Sequence, residues 1–190
     1  GSDSGNKVMK ALFETSRGKE MFLRRLRTLM DEILQPPGTR MGELMYEYRL
    51  DERLEAMRTV AELDLKQWGR GFGAKQTLKQ AITILSRKYL MERRLHLFLN
   101  HNINNTKFPR NADIPDAQKE SFTLKIKSVD FSPHLVSRSE EYIEIQNPHS
   151  YAVDVSNFNV TGSIIHTFKT GTVIPSKSSL YLVKDVNSFR

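Results

Sequence analysis

Before residue 101 the apolar positions of this chain recur every three or four residues, and from about residue 118 onward they recur every second residue. The first period is that of helices burying one face, the second that of strands burying one face. Residues 19–34, KEMFLRRLRTLMDEIL, place Met21, Phe22, Leu26, Leu29, Met30, Ile33 and Leu34 at helical spacing, and Pro36-Pro37 ends the run. A shorter helix is predicted ahead of it on Val8, Met9, Leu12 and Phe13, ending near Gly18. A third begins near Thr39 and carries Leu44, Met45, Tyr48, Leu54, Met57 and Ala61 on one face. The longest run, 76–100, points Leu78, Ile82, Leu85, Tyr89, Leu95 and Phe98 inward, with Arg87, Lys88, Arg93 and Arg94 on the rest of the helix. Short connections at Pro36–Gly38 and Gly69–Gly73 predict an antiparallel bundle with Leu26, Leu29, Leu85 and Phe98 buried.

The stretch HNINNTKFPRNADIPDA, 101–117, is rich in Asn, Pro and Asp and has no period, so it reads as a linker that proteases should cut first. Beyond it FTLKIKSVDF, EYIEIQN, YAVDVSNFNV, HTFKTGTVI and SLYLVKDV are five strand candidates separated by turn residues. The fold class is therefore α+β: an N-terminal helical bundle, residues 1–101, a linker, 102–117, and an antiparallel β-sandwich, 118–190. A two-sheet antiparallel sandwich commonly needs about seven strands or more. Five candidates predict an incomplete one, whose open edge favours self-association.

Composition changes this picture little. An apolar fraction of 38% and a charged fraction of 27% belong to an ordinary globular chain, and no apolar run is long enough for a membrane span. There is no cysteine, hence no disulfide, thiolate nucleophile or thiolate metal site. Gly1-Ser2 reads as a cloning scar, which predicts a natural N-terminus elsewhere. Charge adds more. Residues 1–110 hold 21 Lys and Arg against 13 Asp and Glu, whereas the remainder holds 8 against 9, so the net +7 resides in the first part. That asymmetry is another mark of two modules.

Candidate chemistry is thin. WGRGFGAKQT, 68–77, has the glycines, lysine and threonine of a phosphate cradle, but follows helical sequence and matches neither phosphate-loop nor dinucleotide spacing; a helix-to-helix loop fits better. The histidines at 96, 101, 134, 149 and 166 are scattered, and His96 and His101, five apart, should occupy different helical faces. Glu43, Glu47 and Asp51 share a face, with Glu52 and Glu55 nearby. That grouping could suit a divalent cation or acid–base work, but Arg40, Arg49, Arg53 and Arg58 beside them favour a solvated charge lattice. Arg24, Arg25, Arg27, Arg93 and Arg94 could form a phosphate or nucleic-acid patch, though acids crowd the same helices. No catalytic, cofactor-binding or metal-binding residue is assigned, and no cofactor is expected.

Two resemblances sharpen the reading. ALFETSRGKEMFLRRLRTLMDEIL, YEYRLDERLEAM and SRKYLMERRLHLFLNH, within roughly residues 7–101, resemble the helical C-terminal part of the CotH (spore-coat protein H) family, whose fold is similar to secretory-type atypical protein kinases. In that family the catalytic part precedes these helices, which brace it. EYIEIQNPHSYAVDVSNFNVTGSIIHTFKTGTVIPSKSSLYLVKD resembles a lamin-tail domain, an immunoglobulin-like sandwich. Here Asn157-Phe158 replaces the more usual Gly-Trp, with the aromatic at a buried position, and Lys177 stands where glycine is common. Tyr142, Ile143, Ile145, Val153, Val155 and Phe158 can supply the inward faces, and Asp154 and Ser156 can bond the local backbone.

The resemblances imply a non-catalytic piece of a larger bacterial exported or cell-surface protein, with a lamin-tail-like module that binds a protein or cell-surface ligand, and homo-oligomerisation as a further partner mode. One alternative is part of a CotH-like kinase that keeps nucleotide contacts. That reading lacks an upstream strand-borne lysine and a metal-binding acid in a strand–loop setting. Another is nucleic-acid binding through the basic helices, which predicts steep salt dependence.

Overall fold

The computed structural model describes residues 6–69, 76–107, 109, 112–131, 141–162, 164–187 and 189, and shows a mixed α+β chain. It divides into two compact units, one of Gly1–Leu26 with Ala117–Arg190, the other of Arg27–Asp116.

The first unit opens with α1, Lys7–Glu14, capped by the Asn6 side chain, which accepts from the amides of Val8 and Met9. Thr15 then leaves helical geometry and its hydroxyl accepts from Gly18 N at 3.1 Å, starting α2, Ser16–Leu29. A Cβ on Gly18 would lie 2.5 Å from the Leu12 carbonyl oxygen, so only glycine fits this corner.

The strands of this unit are β1, Lys125–Asp130; β2, Tyr142–Gln146; β3, Val153–Asp154; β4, Asn159–Val160; β5, His166–Thr167; β6, Val173–Ile174; and β7, Ser179–Val183. All described pairings between them are antiparallel: β1-β2-β7 in one sheet, β3 with β6, and β4 with β5. Among the described residues five strand-like segments thus carry seven strands, because two of them are interrupted midway and pair with each other on both sides of the break. The third breaks at Asn157, whose φ of 63° is left-handed, and the fourth at Gly171, with φ of 91°. The strand count behind the expected missing strands therefore rises from five to seven.

One cluster holds these sheets together: Ile143 and Ile145 of β2 with Val153, Val155, Phe168 and Ile174. The predicted inward positions are correct for four of six residues. Phe158 is 46% exposed and lies on Phe122, ring centroids 5.6 Å apart. Tyr142, one residue out of phase with Ile143, meets Tyr181 and Phe189 instead.

Asn147, fully buried, links the turns: its amide donates to the carbonyls of Tyr151, Ile174 and Pro175, and its oxygen accepts from His149 N. Asp154 accepts from Ser156 N as expected of the turn, and also from Arg25 of α2 at 3.0 Å. Glu20 of α2 receives the Ser176 amide and hydroxyl.

In the second unit α2 runs into a wide, π-helical turn, Met30–Leu34, followed by α3, Met45–Trp68, which packs on α4, Leu78–Ile84. The last helical stretch alternates wide turns, Leu85–Leu90 and His96–Asn100, with α5, Met91–Leu95. Each wide turn takes one more residue than an α-turn and rotates the inward face. The buried set is consequently Leu90, Arg94 and Phe98, while Leu85 is 39% and Tyr89 59% exposed, against the expectation for both. The rest of this core is Met30, Leu34, Leu44 and Ile114, with Leu29 half-buried.

Among its described residues the segment read as a linker carries several hydrogen bonds. Ile103 N donates to Ile114 O and Ile114 N to His101 O. The side-chain amides of Asn102 and Asn104 both donate to Asp116, and Arg27 donates to Pro115 O. Asn and Asp make a loop aperiodic, yet they also satisfy its backbone and fix it. No described helix is long and apolar enough to cross a membrane.

Candidate functional site

Among the described residues β1 is an edge strand; Val129, paired with the core-facing Ile143, and Phe131, two residues further on, are 47% and 77% exposed. Ile164 and Ile165, in the connection between β4 and β5, are 48% and 86% exposed. With Tyr142, Ile143, Leu182 and Val183 these side chains line a groove of about 310 Å³ on the strand-rich unit. Asp130, Glu141, His166 and Lys184 complete its lining, so an apolar floor meets groups of both signs. Exposed apolar side chains gathered in one place, unlike scattered ones, mark binding surfaces.

Sequence reasoning passed over this groove. The signal was Ile164-Ile165, two adjacent β-branched apolar residues that cannot both point inward from one strand.

On the face opposite Ile143, β2 builds a different feature. Glu144 is buried between β1 and β7, where it accepts from Lys127 Nζ at 2.8 Å and Ser128 Oγ at 2.9 Å. The hydrogen bond from Lys127 holds its carboxyl down at about 2, Ser179 and Ser128 add to this, and burial opposes it. The same bond raises Lys127, and burial followed by the Glu144 charge raises Tyr181. With both charges satisfied, the group serves the sheet.

The arginines proposed as a phosphate patch are mostly taken. Arg24, Arg27 and Arg94 are buried, and Arg25 is bound to Asp154 and Ser156. Arg27 reaches Asp31 and Pro115 and lies over the Phe98 ring at 4.9 Å. Arg94 forks onto Glu47 and donates through Nε to Leu34 O. Only Arg93 of the five is exposed.

That same pairing removes Glu47 from the carboxylate lattice on α3, where Glu55 and Arg58 form an exposed pair. A second apolar groove, about 370 Å³ between Pro36, Pro37, Met41, Met91 and Leu95, includes the Glu47–Arg94 pair in its lining. The charges there are already spent on each other.

His96 and His101 were expected on different faces. They stack, ring centroids 4.4 Å apart, because the turn His96–Asn100 closes with His101 N donating to His96 O and brings residues five apart into register. Among the described residues no three His, Cys, Asp or Glu gather as metal ligands. Residues 70–75 of the glycine-rich loop and His134 lie outside the described residues.

Compared with known families and structures, the chain matches no family model, no curated protein and no solved structure.

Proposed function

We propose that the strand-rich unit is a lamin-tail-like, immunoglobulin-like sandwich that binds a protein or cell-surface ligand through the groove of Phe131, Ile164 and Ile165. The chain is then a non-catalytic part of a larger exported bacterial protein, its helices the bracing tail of a CotH-like domain.

The observation that carries the binding reading is the groove itself, where four apolar side chains remain in water beside a well-filled core. The lamin-tail reading draws support from two backbone angles. Asn157 and Lys177, which stand where that family favours glycine, have φ of 63° and 52°, the region glycine enters freely. Nucleic-acid binding loses its support with the burial of Arg24, Arg27 and Arg94.

The test is selection of a random displayed peptide library on the intact chain, with Ile165→Glu and Phe131→Ser as counter-selected variants. Enrichment of apolar, extended peptides that both variants fail to retain is expected. No enrichment, or peptides held equally by the variants, overturns the reading.

A further inference from the structure

The 24 residues of α3 bury little: Glu47 is its buried residue, and Leu50, Leu54, Ala61 and Leu65 are half-buried. Beside that narrow strip Met57, Val60 and Trp68 are 50%, 66% and 69% exposed. At 3.6 residues per turn, Arg49, Arg53, Met57, Val60, Asp64 and Trp68 fall within an arc of about 100°. This face is neither apolar nor randomly charged. Its cations lie at the N-terminal end and its acid and indole at the other, with the aliphatic pair between them.

We infer that this face pairs with the same face of a second copy, the two helices antiparallel about a two-fold axis between Arg58 and Thr59. In that register Met57 of one copy meets Val60 of the other, Arg53 meets Asp64, and the Arg49 guanidinium covers the Trp68 indole, each contact made twice. Ala56 opposite Ala61 lets the backbones approach. A shift of one turn sets Met57 against Asp64 or Arg53 against Val60. Parallel pairing sets Arg53 on Arg53 and Asp64 on Asp64. The charge pattern therefore selects both direction and register, as charged positions do in paired helices. Edge-strand association, expected from a count of five strands, is a different surface on a different unit.

Sedimentation of the intact chain across a hundredfold concentration range tests this. A dimer is expected, weakened at least tenfold by Arg53→Asp or by Asp64→Arg alone, since each creates two like-charge contacts, and restored when both are combined. These positions are exposed, so folding is retained. Because the chain has no cysteine, Arg49→Cys mixed with Trp68→Cys should cross-link through a short bis-maleimide, while neither alone should. A monomer at every concentration, or an oligomer that the single charge reversals leave intact, overturns the inference.

Discussion

Arg94 and Glu47 meet through two hydrogen bonds of 2.6 and 2.7 Å, with 5% and 8% of their side chains exposed. Arg94 also donates 2.8 Å to Leu34 O, so one side chain joins α5, α3 and the wide turn after α2. A buried pair of this kind is costly to break and cheap to replace whole. Arg94→Met alone should cost about 3–5 kcal/mol, because Glu47 is left buried without a cation. Combining it with Glu47→Leu should recover most of that loss, leaving Leu34 O short of one donor. Urea unfolding of the two single variants and the pair checks this; additive losses would contradict it.

Glu144 makes stability depend on acid. Its folded-state value of about 2 lies below the ordinary value of about 4.3 for glutamate. Its bond with Lys127 therefore stabilises the fold above about pH 4.3 and is lost as the pH falls toward 2. The Tm of the wild type should exceed that of Glu144→Gln near pH 6, and the gap should close by pH 2. Lys127 is raised, so its share persists up to the ordinary lysine range and fades above it. A Tm gap independent of pH would show the bond irrelevant to stability.

Lys177 occupies left-handed backbone, φ 52°, which costs an L-residue about 1–2 kcal/mol. Lys177→Gly removes that cost and adds about 0.5–1 kcal/mol of chain entropy, so a Tm rise of a few degrees is expected. The gain is tempered by the loss of its exposed bond to Pro148 O. Asparagine tolerates this region better, so Asn157→Gly should change Tm less, whereas Asn157→Ala should lower it. A fall in Tm with Lys177→Gly would mean the turn is set by the Lys177 side chain.

The change of period near residue 118 was legible because helices and strands impose different repeats, and Ile143, Ile145, Val153 and Val155 were legible as core positions, whereas Tyr142 and Phe158 were not. Three things escaped. Wide turns inside the last helix rotated its inward face from Leu85 to Leu90 and stacked His96 on His101, and no residue type announces such a turn. Arg24, Arg27 and Arg94 read as surface charge because burial of a cation depends on partners distant in sequence, Glu47 for Arg94 and Pro115 for Arg27. The groove escaped because strand period describes what packs inward, and Phe131 and Ile165 are informative by failing to.

The proposed binding role of that groove is tested by affinity at Ile165, the most exposed of its large apolar side chains at 86%. A peptide recovered by selection on the wild-type chain, titrated calorimetrically into wild type and Ile165→Glu, reads it directly. Burying an isoleucine contributes about 1.5–3 kcal/mol, and each 1.4 kcal/mol is tenfold in Kd. Binding at least tenfold weaker in Ile165→Glu, with unchanged Tm, is predicted. Equal Kd for the two proteins would contradict a ligand in the groove.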